Sequence, residues 1–249
     1  MPVQENTLTG KVVLITGAGS GLGEATARAF AAQKAHVVCV DLNKAAAERV
    51  ASELETQDAQ SIALGCDVSN AEAVFSAVQT VIERLGSLDI VVNCAAIDHT
   101  VSVEEMSVEQ WDQVMGVNLR GPFLLAKAAW PSMKQNHYGH IFNVASTAAL
   151  RSWGNASAYH ATKRGLIGFG QGLGVEGRVY GIRVTTIIPG GMNTHFFDRF
   201  VEQGIPMPDP KNLQSPATVA NAIVFAAQQP AESAIQEMLI TPLTETSWP

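Results

Sequence analysis

Tyr159 and Lys163 stand four residues apart in Tyr-His-Ala-Thr-Lys. On a helix that spacing puts a phenol and an ammonium on one face. A phenol titrates near ~10 and exchanges protons poorly at neutral pH. A cation beside it favours the phenolate and lowers that pKa, which suits the group to general acid–base work. Tyr-x-x-x-Lys also arises by chance in helices, so its weight depends on what accompanies it.

A second cluster lies near the N-terminus. The apolar run Lys11–Thr16 leads into Gly17-Ala18-Gly19-Ser20-Gly21-Leu22-Gly23 and then into an alanine-rich helical pattern. Strand, glycines and helix in that order let the backbone approach a pyrophosphate seated on the helix N-terminus. The spacing departs from Gly-x-Gly-x-x-Gly, and the Gly-Lys-Ser/Thr of a nucleotide-triphosphate loop is missing. Asp41 closes the next apolar run, about twenty residues on, where a carboxylate accepts the adenosine ribose hydroxyls and repels a 2'-phosphate. Ser20 and Leu42 cannot neutralise such a phosphate. NAD(H) is therefore expected over NADP(H), the alternative being that Asp41 merely caps a turn.

Apolar runs and helical patterns alternate to position these groups. Strands are expected at Lys11–Thr16, His36–Asp41, Ser61–Gly65, Leu88–Asn93, His140–Ala145, Ile182–Ile188 and Glu237–Thr241. Helices are expected at Leu22–Gln33, Lys44–Thr56, Ala71–Leu85, Val108–Met133 (with Gly121-Pro122 inside it), Ala156–Val179 and Ala217–Ala227. Continuous Val/Ile/Leu strands are buried on both faces, and β-α alternation implies a parallel sheet between helical layers. The predicted fold is one α/β domain over residues 1–249, a Rossmann-type doubly wound sheet of seven strands. Gly190–Ser215, the least regular stretch, is expected to be a substrate loop.

The chain has 249 residues, 47% of them apolar and 16% charged, with a net charge of −7 and no basic block. Nucleic acid and anionic membranes are disfavoured as partners. Cys39, Cys66 and Cys94 lack metal-ligand spacing and read as buried thiols, so no metal is expected. With no signal peptide or bilayer-length apolar run in view, a cytoplasmic protein is expected.

Taken in order, Thr16–Gly23, Asp67-Val68, Asn93-Cys94-Ala95-Ala96, Asn118, Ser146, Tyr159/Lys163 and Pro189-Gly190 with Thr194 resemble the motifs of the short-chain dehydrogenase/reductase superfamily. The resemblance runs along the whole chain. It implies that Tyr159 is the acid/base, that Lys163 binds the nicotinamide ribose and lowers the Tyr pKa, and that Ser146 holds the substrate oxygen. It implies that Asn118 holds a water linking the lysine to solvent. Asp67 and Val68 would touch adenine, and Thr194 and the backbone after Pro189 the nicotinamide carboxamide. Gly17, Gly21, Gly23, Leu22, Asn93, Ala95 and Gly190 complete the expected cofactor site.

Two features depart from the family pattern. Asn-Asn-Ala-Gly is replaced by Asn93-Cys94-Ala95-Ala96, and the tyrosine helix carries six glycines between Gly165 and Gly177. Interior glycines cost about 0.5–1 kcal/mol each relative to Ala, so close packing must hold that helix. The family's use of it as a subunit interface implies a homotetramer or homodimer, and Trp248-Pro249 is expected against another subunit. Ala96, Ile97, Asp98, His99, Thr147, Trp153, Met192, Phe196 and Phe197 are expected to line an apolar pocket for a medium-sized ketone or secondary alcohol. The expected activity is NAD(H)-dependent interconversion of the two. The alternatives are a 3-oxoacyl-thioester reductase, a nucleotide-sugar epimerase and a non-catalytic NAD sensor.

Overall fold

The computed structural model describes residues 8–55, 60–202 and 204–245. Seven strands form one sheet: β1 (Val12–Thr16), β2 (His36–Asp41), β3 (Ser61–Gly65), β4 (Ile90–Asn93), β5 (Gly139–Val144), β6 (Ile182–Pro189) and β7 (Glu237–Ile240). Their order is β3-β2-β1-β4-β5-β6-β7, and every pairing is parallel. The winding reverses between β1 and β4, which opens a crevice at the carboxyl ends of those strands, where such sheets bind ligands.

Side-chain alternation explains the two layers. Val13 and Ile15 face a core shared with Phe30, Val50 and Ile223, which come from α1 (Gly21–Ala31), α2 (Lys44–Leu54) and α8 (Pro216–Ala227). Val12 and Leu14 face the opposite core, with Val78 of α3 (Ala71–Leu85) and Leu125 of α5 (Gly121–Gln135). Phe169 and Leu173 of α6 (Ser157–Gly177) pack on that second layer.

The expected helix over 108–133 is not continuous. It divides into α4 (Val108–Met115), a π-helical turn Gly116–Arg120, and α5. Ser107 and Gln110 close a capping box at its start, and Pro122 sits at the first turn of α5, where a missing N–H costs little. Most predicted element boundaries agree within one or two residues; the end expected for the second helix at Thr56 lies outside the described residues, as does Trp248-Pro249. Among its described residues the 190–215 stretch holds short turns and α7 (Asp198–Glu202). A single bridge between Met192 and Gln214 pinches its base.

Close approach accounts for part of the glycine content of α6. A Cβ on Gly170 would come within 2.6 Å of Thr186 Oγ1, and one on Gly165 within 3.2 Å of Leu119. Added at Gly168 or Gly172, it would meet nothing within 4 Å. Those two positions lie on an outward face with Val175 and Val179, which are 60% and 78% exposed.

Candidate active site

A cavity of about 1050 Å³ occupies the carboxyl ends of the central strands. At one end Gly17, at φ +66°, sits where a side chain would press on the Ala95 backbone at 3.1 Å. A Cβ on Gly23 would collide with the Gly17 carbonyl oxygen. Thr16 Oγ1 accepts the Cys94 and Ala95 N–H groups, each at 3.1 Å, and so joins the two loops across the crevice. Ser20 is the N-cap of α1, but its side chain makes no capping bond. The helix N-terminus, with its positive dipole end, therefore faces the cavity through Ser20, Gly21, Leu22 and Gly23.

Asp41 is fixed by two backbone donors: Gly19 N to Oδ2 and Asn43 N to Oδ1, both at 2.9 Å. It lines the cavity beside Leu42, Asp67 and Val68. Both the turn-capping and the cavity-facing readings of Asp41 thus hold in one geometry. Arg49, which the sequence reading passed over, bonds the Gly19 carbonyl at 3.1 Å and Glu24 at 2.7 Å. The bond to Arg49 is the chief cause that holds the Glu24 carboxyl below its usual range.

At the other end the end of β5, a 3-10 turn and α6 assemble the chemical groups. Ser146 caps the turn Thr147–Ala149, its Oγ accepting the Ala148 N–H at 3.1 Å. Because that bond uses a lone pair, the hydroxyl proton is left to point elsewhere. Thr147, expected among the pocket residues, begins this turn and lines the cavity. Tyr159 is 8% exposed and its ring lies 5.6 Å from that of Phe196. Lys163 shares its face as the i,i+4 spacing requires: Nζ lies 5.4 Å from the tyrosine ring centre and donates to the Val144 carbonyl at 2.8 Å. Burial lowers the Lys163 pKa to about 8, while nearby Cys94 acts in the opposite direction. Burial pushes the Cys94 thiol up to about 12, so it stays protonated at neutral pH.

Ala95, Ala96, Ile97, Asp98, Trp153, Pro189, Gly190, Met192, Thr194, Phe196 and Phe197 all line the cavity. Thr194 also caps the turn His195–Phe197, its Oγ1 accepting the Phe196 N–H at 3.4 Å. His160 turns away from the tyrosine and ties Ala148 O to the Trp153 backbone. Three expected residues are absent from the wall. Asn93 is buried inside the sheet, its amide donating to Asn143 at 2.9 Å. His99 turns outward to Gln113 at 2.8 Å. Asn118 sits in the π-helical turn, and both ends of its amide are engaged: Oδ1 accepts Ile97 N, and Nδ2 donates to Ile97 O at 2.8 Å and Thr162 at 3.3 Å. It therefore clamps the segment that follows β4.

The sequence reading missed Arg151, Lys211, Thr244 and Glu245, which bring charge and polarity to the wall. Arg151 and Glu245 are ion-paired although 94 residues apart, a separation that no local pattern reveals. Among the described residues no group of three or more His, Cys, Asp or Glu side chains could hold a metal ion. No described helix is long and apolar enough to cross a membrane.

A dinucleotide fits these residues. The glycine loop leaves room for a pyrophosphate, an anion-friendly helix end faces it, and a carboxylate fixed by backbone N–H groups lines the same cavity. The short chain dehydrogenase family model matches residues 11–204. The chain belongs to that family. Its members bind nicotinamide cofactors, and this short-chain enzyme is an oxidoreductase acting on CH–OH groups. It is 38% identical over 182 residues to D-threitol dehydrogenase of Mycolicibacterium smegmatis, spanning 73% of this chain and 70% of that protein. A 3-ketoacyl-(acyl-carrier-protein) reductase from Brucella melitensis, solved with NADH, superposes with a TM-score of 0.84 at 35% identity, covering 95% and 99% of the two chains. An alcohol dehydrogenase from the archaeon Thermococcus sibiricus, complexed with 5-hydroxy-NADP, superposes at 0.86 with 26% identity, covering 96% and 99%.

Proposed function

We propose that this short-chain oxidoreductase uses NAD(H) to interconvert a secondary alcohol and a ketone, with Tyr159 as general acid–base. The observation that carries the reading is the convergence of Ser146, Tyr159 and the buried ammonium of Lys163 on one wall of the dinucleotide-sized cavity. The bound nicotinamide supplies the hydride acceptor, or the donor in the reverse direction. In oxidation, Tyr159 takes the proton of the substrate hydroxyl as the carbon loses hydride. The Ser146 hydroxyl donates to the same oxygen and holds it. Lys163, already anchored on Val144, keeps two N–H donors for ribose hydroxyls, and its positive charge favours the phenolate. Asn118 takes a positioning role, its amide clamping Ile97 and Thr162, alongside the water-holding role that the resemblance implies.

Asp41 supports NAD(H) over NADP(H). The carboxylate is held in place by two N–H groups and would face a 2'-phosphate with like charge. Arg49 is committed to Glu24, Glu53 and the Gly19 carbonyl and does not line the cavity. Self-association is supported by the outward face of α6, where Gly168 and Gly172 let a partner approach beside the exposed Val175 and Val179.

The decisive measurement is the variant Tyr159→Phe. Turnover should fall by about 10²-fold or more, since a positioned acid–base contributes about that much, whereas NAD binding by fluorescence should persist. Turnover at the wild-type rate would remove Tyr159 from its role.

A further inference from the structure

Glu245 lies beyond the last strand, yet its side chain is only 10% exposed and forms part of the cavity wall. The tail that delivers it is anchored at three points. Gly190 N and Gln214 Nε2 each donate to Ile240 O at 2.8 Å, and Thr244 Oγ1 donates to Lys211 O at 2.9 Å. One carboxylate oxygen pairs with Arg151. The other, Oε2, is buried, and no described donor meets it. It points at the Cα of Gly190, where a Cβ would collide with it. A buried acceptor with no donor costs on the order of 1–3 kcal/mol, so a ligand that brings a donor removes that cost.

We infer that Glu245 and Arg151 form a subsite for a second hydroxyl of the substrate, so that the enzyme acts on neutral polyols or hydroxyketones. This rests on the proposed alcohol–ketone chemistry and narrows its substrate. Once the Glu245 carboxylate rotates off Gly190 toward the cavity, a hydroxyl donates to Oε2 and can accept from Arg151, matching both groups at once. A substrate carboxylate would have to displace Glu245 from Arg151 and leave it buried without its cation, the costly way to break such a pair. A plain hydrocarbon alcohol leaves Oε2 as it is. Sites built to bond a hydroxyl reject analogues lacking it far more strongly than apolar pockets reject extra groups.

The test compares four-carbon polyols with 2-butanol and with 3-hydroxybutyrate in the wild type, Glu245→Leu and Glu245→Gln, each with NAD. The expected wild-type preference for polyol over 2-butanol is about tenfold or more in kcat/KM. In Glu245→Leu that ratio should collapse, chiefly through the KM of the polyol. Glu245→Gln, which keeps an acceptor oxygen and guards against a folding artefact, should retain part of it. An unchanged ratio in Glu245→Leu, no wild-type preference, or 3-hydroxybutyrate as the better substrate overturns the subsite. If the wild type turned over no alcohol, the parent reading would fail. Calorimetric titration of a polyol into the NAD-loaded protein would still decide the inference: heat lost in Glu245→Leu upholds it, and no heat in the wild type overturns it.

Discussion

Lys163 is the residue whose chemistry can be read without substrate. Burial holds its pKa at about 8 in the folded protein, against about 10.5 for a lysine in the unfolded chain. Between those values the unfolded chain binds more protons than the native one, so stability rises with pH across that window. Below about 8 the full cost of burying the ammonium is present; above 10.5 it is gone. Urea unfolding measured at pH 8 and pH 10 should show a gain of about 2 kcal/mol in the wild type, flattened in Lys163→Met. An equal slope in both proteins would mean that another group titrates. Asp41 offers a second prediction at this scale. Replacing its charge and adding a cation, in Asp41→Asn with Leu42→Arg, should move the kcat/KM ratio toward NADP by about tenfold or more, because the repulsive element is removed along with a new attraction. A ratio that stays put would leave Asp41 as a turn cap only.

Helix α6 sets the tyrosine–lysine geometry, and its glycines separate into two kinds. Gly170 lies where Thr186 and Asn143 press from the sheet, so Gly170→Ala should destabilise by about 1–3 kcal/mol through overpacking. At Gly168 an added methyl meets nothing within the protomer, and Gly168→Ala should instead stabilise the isolated chain by about 0.5–1 kcal/mol. Thermal melts of the two variants distinguish packing from propensity; shifts of the same sign would contradict the distinction. The elements themselves were legible because most strands hold a short apolar run, as in Val12–Ile15, Val37–Val40 and Ile90–Val92, and the helices follow a periodic pattern. The π-helical turn was not, since Gly116–Arg120 has the composition of ordinary helix and is fixed by the Asn118 clamp on Ile97, a tertiary contact. Asn93 misled for a related reason: it ends a strand in a cofactor-like motif, but the alternation of β4 turns its side chain toward Asn143.

At the scale of the whole molecule, residues that act together come from distant parts of the chain. The reacting pair announces itself by a four-residue spacing, whereas the Arg151–Glu245 pair exists only once the sheet brings the tail back over Gly190. That asymmetry explains why the chemistry of the site was readable from sequence while its polarity toward substrate was not. The outward stripe of Val175 and Val179 leads to a further expectation. Light scattering at micromolar concentration should give a dimeric or tetrameric mass, and Val175→Asp with Val179→Asp should lower it toward one chain. A monomeric wild type would count against the stripe as an interface.

The bridge between Met192 and Gln214 carries a consequence for how such an enzyme changes its diet. Asn193 donates to Gln214 O, and Gln214 donates back to Gly191 O, both at 2.9 Å, so the twenty-odd residues between leave and re-enter the scaffold at one tied neck. A segment knotted off in this way is a cassette. Grafting a relative's version between those two ties, with Thr194 kept, should import a new appetite for alcohols while the dinucleotide half carries on untouched.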